Sequence, residues 1–266
     1  MNNNLTPSSP SIRPRCALAL MAKVPFAGEV KTRLTPPLTP EEAAKLSMCF
    51  LRDMTMNLCD LNGDGREAVV LYTPAETQEL LRGLVPIGLR LLAQRGETLG
   101  ERLINAAAEL LSDGFDSVCL INSDSPTLPG AILMTAASLL AQEGDRVVLG
   151  PSQDGGYYLI GLTRPHDYLF ERIAWSTADV LAHTIERAAE IELPVDLLPV
   201  WYDVDDAATL RLLCQEFSLL SDGRDGSAQF GGGFQALHTR NYLAGLIATD
   251  SDERFRPGAY IAKTKA

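Results

Sequence analysis

Four apolar residues, Val118-Cys119-Leu120-Ile121, run without polar alternation and stop at Asn122-Ser123-Asp124-Ser125-Pro126. A strand with one wet face alternates apolar and polar residues, whereas a strand covered on both faces does not. The run therefore predicts a central strand of a parallel sheet held between helices. Pro126 cannot donate to a ladder and biases Ser125 towards extended or turn conformations, so the strand must end here. Asp124 is thereby carried to the carboxyl end of a central strand, where open α/β sheets bind their ligands. Asp before Pro also serves ordinary turns, so Asp124 needs support from elsewhere in the chain.

The rest of the chain alternates in the same style. Cys16 to Met21 reads as a first buried strand, followed by a long loop over residues 22–34. Thr39-Pro40-Glu41-Glu42 is a helix start, with a cap, a proline at the first helical position and acids in the first turn. That helix is expected to run to Leu58. Strands are expected at 68–72, 89–93 and 146–149, with helices over 99–113, 129–142 and 178–189. A short helix should end near Leu84. Residues 150–161 turn back into an antiparallel strand, residues 195–204 are extended, and Asp205 or Asp206 caps a helix to Phe217. The pattern predicts an α/β protein with a single doubly wound, mostly parallel but mixed sheet and helices on both faces.

Three regions follow. Residues 1–14 are polar and rich in Pro and Ser, and read as a disordered extension. Residues 15–220 form the domain. Residues 221–266 read as a Gly-rich linker and a C-terminal appendage, whose apolar stretch Tyr242 to Ile247 docks as a short helix. Truncation after Leu220 is expected to leave a cooperatively folding protein.

The 266 residues carry a net charge of −11, which argues against general nucleic-acid or membrane-surface binding, since both want basic patches. No apolar run approaches the roughly 18 residues of a membrane span. Residues 1–14 lack the apolar core of a signal peptide. The five cysteines are odd in number and include no C-x-x-C pair. They read as reduced thiols of a cytoplasmic protein.

Against this acidic background the first loop stands out. Lys23, Lys31 and Arg33 surround Gly28 just beyond a strand end, and such a loop suits a polyphosphate. It is not a P-loop, because Val30 and Pro25 stand where that motif needs glycine. Asp124 is the first candidate metal ligand, and Asp203, Asp205 and Asp206 are candidates for the second. Mg²⁺ bound to phosphates needs only one or two protein carboxylates plus water. Asp154-Gly155-Gly156-Tyr157 lets backbone approach a ligand, with Tyr157 or Tyr158 to cover a ring. Gln94-x-Gly96-x-x-Leu99-Gly100-x-Arg102 opens a helix that can hold a base or phosphate. The three histidines stand beside no acid-rich or Ser-rich motif, which argues against a catalytic triad or a histidine zinc site.

Taken in order, these segments, with Gly150-Pro151, Trp175-Ser176-Thr177 and Asp203-Val204-Asp205, resemble the bacterial glycosyltransferase-A-like family of the selenodomain-associated transferase type. The likeness covers about residues 15–217 and implies the nucleotide-diphospho-sugar transferase fold. The first loop is also similar to that of phospholactate guanylyltransferases, which implies that its lysine and arginine face a nucleoside triphosphate. Two departures matter. The Gly-Gly-rich first loop of sugar nucleotidyltransferases is absent, and Asn122-Ser123-Asp124 lacks the first acid of the D-x-D motif. Val204-Asp205-Asp206 resembles the V-D-T-P stretch of nucleotidyltransferases, which implies a metal-binding role for Asp205, with Asp203 in reserve.

The expectation is a transferase that binds a nucleoside triphosphate or nucleotide-sugar with Mg²⁺ or Mn²⁺ and passes a nucleotidyl or glycosyl group to a small acceptor. Lys31, Arg33 and Asp124 are the expected catalytic residues. Lys23, Gly28, Gln94 and Gly96 join Lys31 and Arg33 around the phosphates or base. Asp154, Gly155, Gly156 and Tyr157 shape the acceptor or sugar pocket, and Asp124 and Asp205 hold the metal. A nucleotide-binding regulator without chemistry is the alternative from another class.

Overall fold

A computed structural model describes residues 14–220, 232–250 and 252–255. Residues 1–13 of the expected extension and residues 221–231 of the Gly-rich stretch lie outside the described residues. Seven strands form one sheet: β1 (Cys16–Lys23), β2 (Arg66–Thr73), β3 (Arg90–Ala93), β4 (Ser117–Asn122), β5 (Val147–Pro151), β6 (Tyr157–Leu162) and β7 (Val195–Leu197). Their spatial order is β3-β2-β1-β4-β6-β5-β7. β6 runs antiparallel to both β4 and β5, and every other pair is parallel. The doubly wound, mostly parallel sheet with one reversed strand is therefore present.

The unbroken apolar runs are explained by two cores. Along β4, Cys119 and Ile121 point into one and Val118 and Leu120 into the other. Along β1, Leu18 and Leu20 share the first core, and Ala17 and Ala19 the second. Helices α1 (Pro40–Asp60), α4 (Gly130–Leu140) and α6 (Ala207–Glu216) cover the first face; α3 (Leu99–Ser112) and α5 (Val180–Glu190) cover the second. A five-residue helix, α2 (Gln78–Arg82), lies between β2 and β3. The α1 start is the capping box that its sequence announces: Thr39 Oγ1 accepts from Glu42 N–H, and Glu42 accepts from Thr39 N–H.

Differences from expectation have local causes. The extended segment 195–204 yields only a three-residue strand. Beyond it, Pro199 has no N–H to give, and the chain is held by the bond from Leu198 N to Leu149 O and by an isolated parallel bridge at Trp201, whose N–H donates to Pro151 O and whose O accepts from Gln153 N–H. A 3₁₀ turn at Asp167–Phe170 was not expected. Helix α7 spans Leu237–Asp250 rather than Tyr242 to Ile247. Its start is capped by tertiary structure: Asp53 of α1 accepts from the N–H groups of His238 (3.0 Å) and Thr239 (2.8 Å). Ala236, Leu243 and Phe255 join the first core, and Arg254 makes two 2.9 Å bonds to Glu42. No helix among the described residues is long and apolar enough to cross a membrane.

Candidate active site at the carboxyl end of the sheet

The carboxyl ends of β1, β2, β4 and β5 and the amino end of β6 lie along one edge. One backbone bond sets the geometry there: Val204 N–H donates to Asp124 O at 2.9 Å. It lays the 201–206 segment beside the end of β4 and puts Asp203 and Asp205 next to Asp124.

The first loop closes over this edge. Val24 N–H still bonds Thr73 O, so the loop leaves from the sheet itself, and Leu34 is buried as its far anchor. Between them Lys31 adopts a left-handed backbone, φ 49° and ψ 38°, and a 3₁₀ turn follows at Thr32–Leu34. The turn puts Lys31 inward and Arg33 outward. Lys31 Nζ lies 2.6 Å from Asp124 Oδ1 and 2.8 Å from Asp205 Oδ1, and 5.5 Å from the centre of the Phe50 ring. Arg33 reaches the other oxygen of Asp205 at 2.8 Å. The two cations differ sharply in exposure: 6% for the Lys31 side chain against 70% for Arg33. Burial alone would lower the Lys31 pKa, but Asp124 and Asp205 outweigh it and the pKa is raised. Burial likewise pushes Asp205 up, and Lys31 and Arg33 bring it below the ordinary carboxylate value.

Asp203 is held quite differently. Its Oδ1 accepts from Asn122 Nδ2 (2.8 Å) and Ser125 Oγ (2.5 Å), and its Oδ2 from Ser152 Oγ (2.9 Å). The ends of β4 and β5 are thereby pinned to one carboxylate of the 201–206 segment. Burial raises its pKa to about 6, with the Asp124 charge adding to the rise and the three donors opposing it. Asp206, the remaining acid of the cluster, caps α6 through Ala208 N–H and Thr209 N–H.

Two cavities open along this edge. The first, about 350 Å³, is lined by Lys23, Lys31, Arg33, Gln94, Arg102 and Asp124 among others. Gln94 spends its amide nitrogen on Ala22 O (3.2 Å) and Leu71 O (2.7 Å), stapling the ends of β1 and β2. Gly28 and Gly96 are not among the lining residues. Gly96 is required by geometry, since at φ 121° a Cβ would sit 2.7 Å from that of Glu101. The second cavity, about 680 Å³, is lined by Asp154, Gly156, Tyr157, Trp175, Ser176 and Asp203 among others. Gly155 builds its wall from behind: a Cβ there would meet Ala178 O at 2.1 Å. Tyr158 turns into the core and bonds Pro199 O, which leaves Tyr157 as the tyrosine of this cavity. Thr32, Arg33, Leu99 and Asp205 line both cavities.

Sequence reasoning missed several contributors. Arg102 lines the first cavity and donates to Gly96 O and Glu97 O. Its place in the Gln94–Arg102 segment was the available signal. Trp175 was likewise visible as part of a motif without an assigned task, and its indole packs on Gly100. Asn122, Ser125 and Ser152 gave no individual signal. Among the described residues no group of three or more His, Cys, Asp or Glu gathers as a metal site. The candidate metal ligands are a pair, Asp124 and Asp205, shared by one ammonium.

Comparison with known proteins agrees with this fold. Residues 60–177 match the model of a family described as an uncharacterized protein conserved in bacteria, DUF2064. No curated protein matches. A crystal structure from Desulfovibrio desulfuricans G20, provisionally described as a nucleotide-diphospho-sugar transferase, is 29% identical. The likeness covers 88% of this chain and 98% of that one, with a TM-score of 0.72. A cytidylyltransferase from Leptospira borgpetersenii serovar Hardjo-bovis shares the fold at 14% identity, with 89% and 94% of the two chains covered and a TM-score of 0.50. The strand order and the Desulfovibrio likeness show that this chain has the nucleotide-diphospho-sugar transferase fold.

Proposed function

We propose that the protein is a transferase that binds a nucleoside triphosphate or nucleotide-sugar in the first cavity and a small acceptor in the second. The observation that carries this reading is the shared wall: Thr32, Arg33, Leu99 and Asp205 border both cavities. A group held in one is therefore within reach of an acceptor held in the other. Lys23, Lys31 and Arg33 would bind the phosphates and stabilise charge that builds on them during transfer. Asp154, Gly156 and Tyr157 would position the acceptor.

Asp124 and Asp205 fit a divalent cation by donor type, since both are carboxylates and are 37% and 31% exposed at the same edge. Mg²⁺ or Mn²⁺ held there would supply Lewis-acid neutralisation of the phosphates. In nucleotidyl transfer, an acceptor oxygen bonds the α-phosphorus and pyrophosphate departs. In glycosyl transfer, the acceptor bonds the anomeric carbon and the nucleoside diphosphate departs. The likeness of the first loop to guanylyltransferases favours the nucleotidyl reaction.

A melting panel of nucleotides and nucleotide-sugars with Mn²⁺ tests the binding, because a specific ligand raises the midpoint by mass action. Pyrophosphate release then identifies nucleotidyl transfer, and nucleoside diphosphate release identifies glycosyl transfer. Asp124→Asn keeps the side chain's size and loses the charge. Its Mn²⁺-dependent nucleotide affinity should fall at least tenfold, about 1.4 kcal/mol. A wild-type manganese spin-resonance signal in that variant, with nucleotide present, would remove Asp124 from the metal site.

A further inference from the structure

The Asp124/Asp205 pair already holds a cation, and it belongs to the chain. Lys31 Nζ touches Asp124 Oδ1 at 2.6 Å and Asp205 Oδ1 at 2.8 Å. A hard divalent cation takes carboxylate oxygens at about 2.0–2.6 Å, so it would need the same small space between the same two oxygens. Two like charges that close repel strongly in a partly dry site. Ammonium and metal are therefore alternatives at this pair, not neighbours.

Two further features make Lys31 a residue that can leave. Its left-handed backbone, φ 49°, is a conformation that a non-glycine residue keeps only when its surroundings impose it. It also lines the first cavity together with Lys23, Arg33 and Arg102, so phosphates bound there would lie within reach of the same ammonium. We infer that Lys31 competes with a divalent cation for Asp124 and Asp205, and that nucleotide phosphates free the pair by drawing Lys31 to themselves. The cation then enters with the nucleotide and not before it. This rests on the reading of the first cavity as the nucleotide site, although the competition itself needs only the pair and the lysine.

The test is a titration of the nucleotide-free protein with Mn²⁺ alone, followed by spin resonance. Lys31→Met removes the competing charge and retains the stem. It should bind Mn²⁺ at least tenfold more tightly than wild type, while its affinity for GTP, CTP or UTP falls. Adding Asp124→Asn to that variant should abolish the gain, which locates the ion at the pair. Lys31→Gln serves the same purpose if Lys31→Met fails to fold, because its amide can still donate to one carboxylate. Equal or weaker Mn²⁺ affinity in the folded Lys31 variants would overturn the competition, as would a gain that survives Asp124→Asn. A gain in Mn²⁺ affinity with no nucleotide bound by any form would sustain the competition and sink the nucleotide reading instead.

Discussion

Asp203 and Asp205 stand two residues apart on one segment, yet they belong to two kinds of structure. Asp203 is held by an amide and two hydroxyls, all neutral, from the ends of β4 and β5. Asp205 is held by two cations from the first loop. Neutral donors aimed at one buried carboxylate fix geometry, because any departure leaves a polar group unpaired. Charges at a cavity rim can be taken over by a charged ligand at little cost. The floor of the site is thus built to stay and the loop over it to exchange partners. That difference places Asp203 with the scaffold and leaves Asp205 for the proposed chemistry.

The largest expected break is on the scaffold side. The floor leans on the C-terminal segment, where Phe234 N–H bonds Thr127 O at 2.9 Å. The same segment supplies both N–H groups that satisfy Asp53, a carboxylate only 1% exposed. Truncation after Leu220 should still give one melting transition, since residues 15–220 are proposed as the folding unit. Removing Leu243 and Phe255 from the first core should nevertheless cost about 3–6 kcal/mol, at about 1.5–3 kcal/mol for each buried side chain. Calorimetry of the truncated chain would show this as a lower midpoint; an unchanged midpoint would mean that the tail is a passive appendage.

Asp203 itself gives the next two effects, of opposite sign. Asp203→Ala leaves three donors without an acceptor and should cost about 2–3 kcal/mol. Asp203→Asn keeps the network, with its oxygen accepting from Asn122 and Ser125 and its amide donating to Ser152 Oγ. The charge is what changes. The folded pKa of Asp203, about 6, lies above the ordinary 3.8. Stability from such a raised value is full below the ordinary pKa and is lost as pH rises through about 6. The asparagine does not titrate, so its advantage should grow between pH 4 and 6 and hold above that, at about 1–3 kcal/mol. Melting curves in chelator across this range measure it. If Asp203→Asn instead loses Mn²⁺-dependent nucleotide binding, Asp203 belongs with the metal and the comparison fails.

What the sequence disclosed follows the same division. Alternation of apolar runs, the capping box at Thr39 and the end of β4 at Pro126 are local signals, and they describe the sheet and its ligand edge. Lys31, Arg33 and Asp124 could be singled out because cations in an acidic chain, and an acid ending an apolar strand, are locally conspicuous. The Asp203 hub was not legible. Asn122, Ser125 and Ser152 are ordinary turn residues until the fold aims them at one carboxylate. The start of α7 was hidden for the same reason, since its cap is Asp53, on a helix far away in sequence. Nor could composition show that Lys31 would be buried and Arg33 exposed; that depends on the left-handed turn at Lys31.

The smallest expected effect tests the loop side. Arg33 bonds Asp205 Oδ2 at 2.8 Å, a distance that in a buried pair would imply a strong interaction. Its side chain is 70% exposed, however, so water screens the pair and holding a long side chain costs entropy. Exposed pairs of this kind contribute about 0–1 kcal/mol. Asp205 also retains Lys31 when Arg33 is gone. Arg33→Ala should therefore leave the melting midpoint of the ligand-free protein within about 0.5 kcal/mol of wild type. Its cost should appear only when phosphates are present, as a loss of about 1–3 kcal/mol in nucleotide affinity, the range for hydrogen bonds to charged groups. Calorimetric titration beside thermal melting separates the two. A variant that melts early but binds normally would show that Arg33 spends its charge on the fold, and the exchangeable loop would then reduce to Lys31 alone.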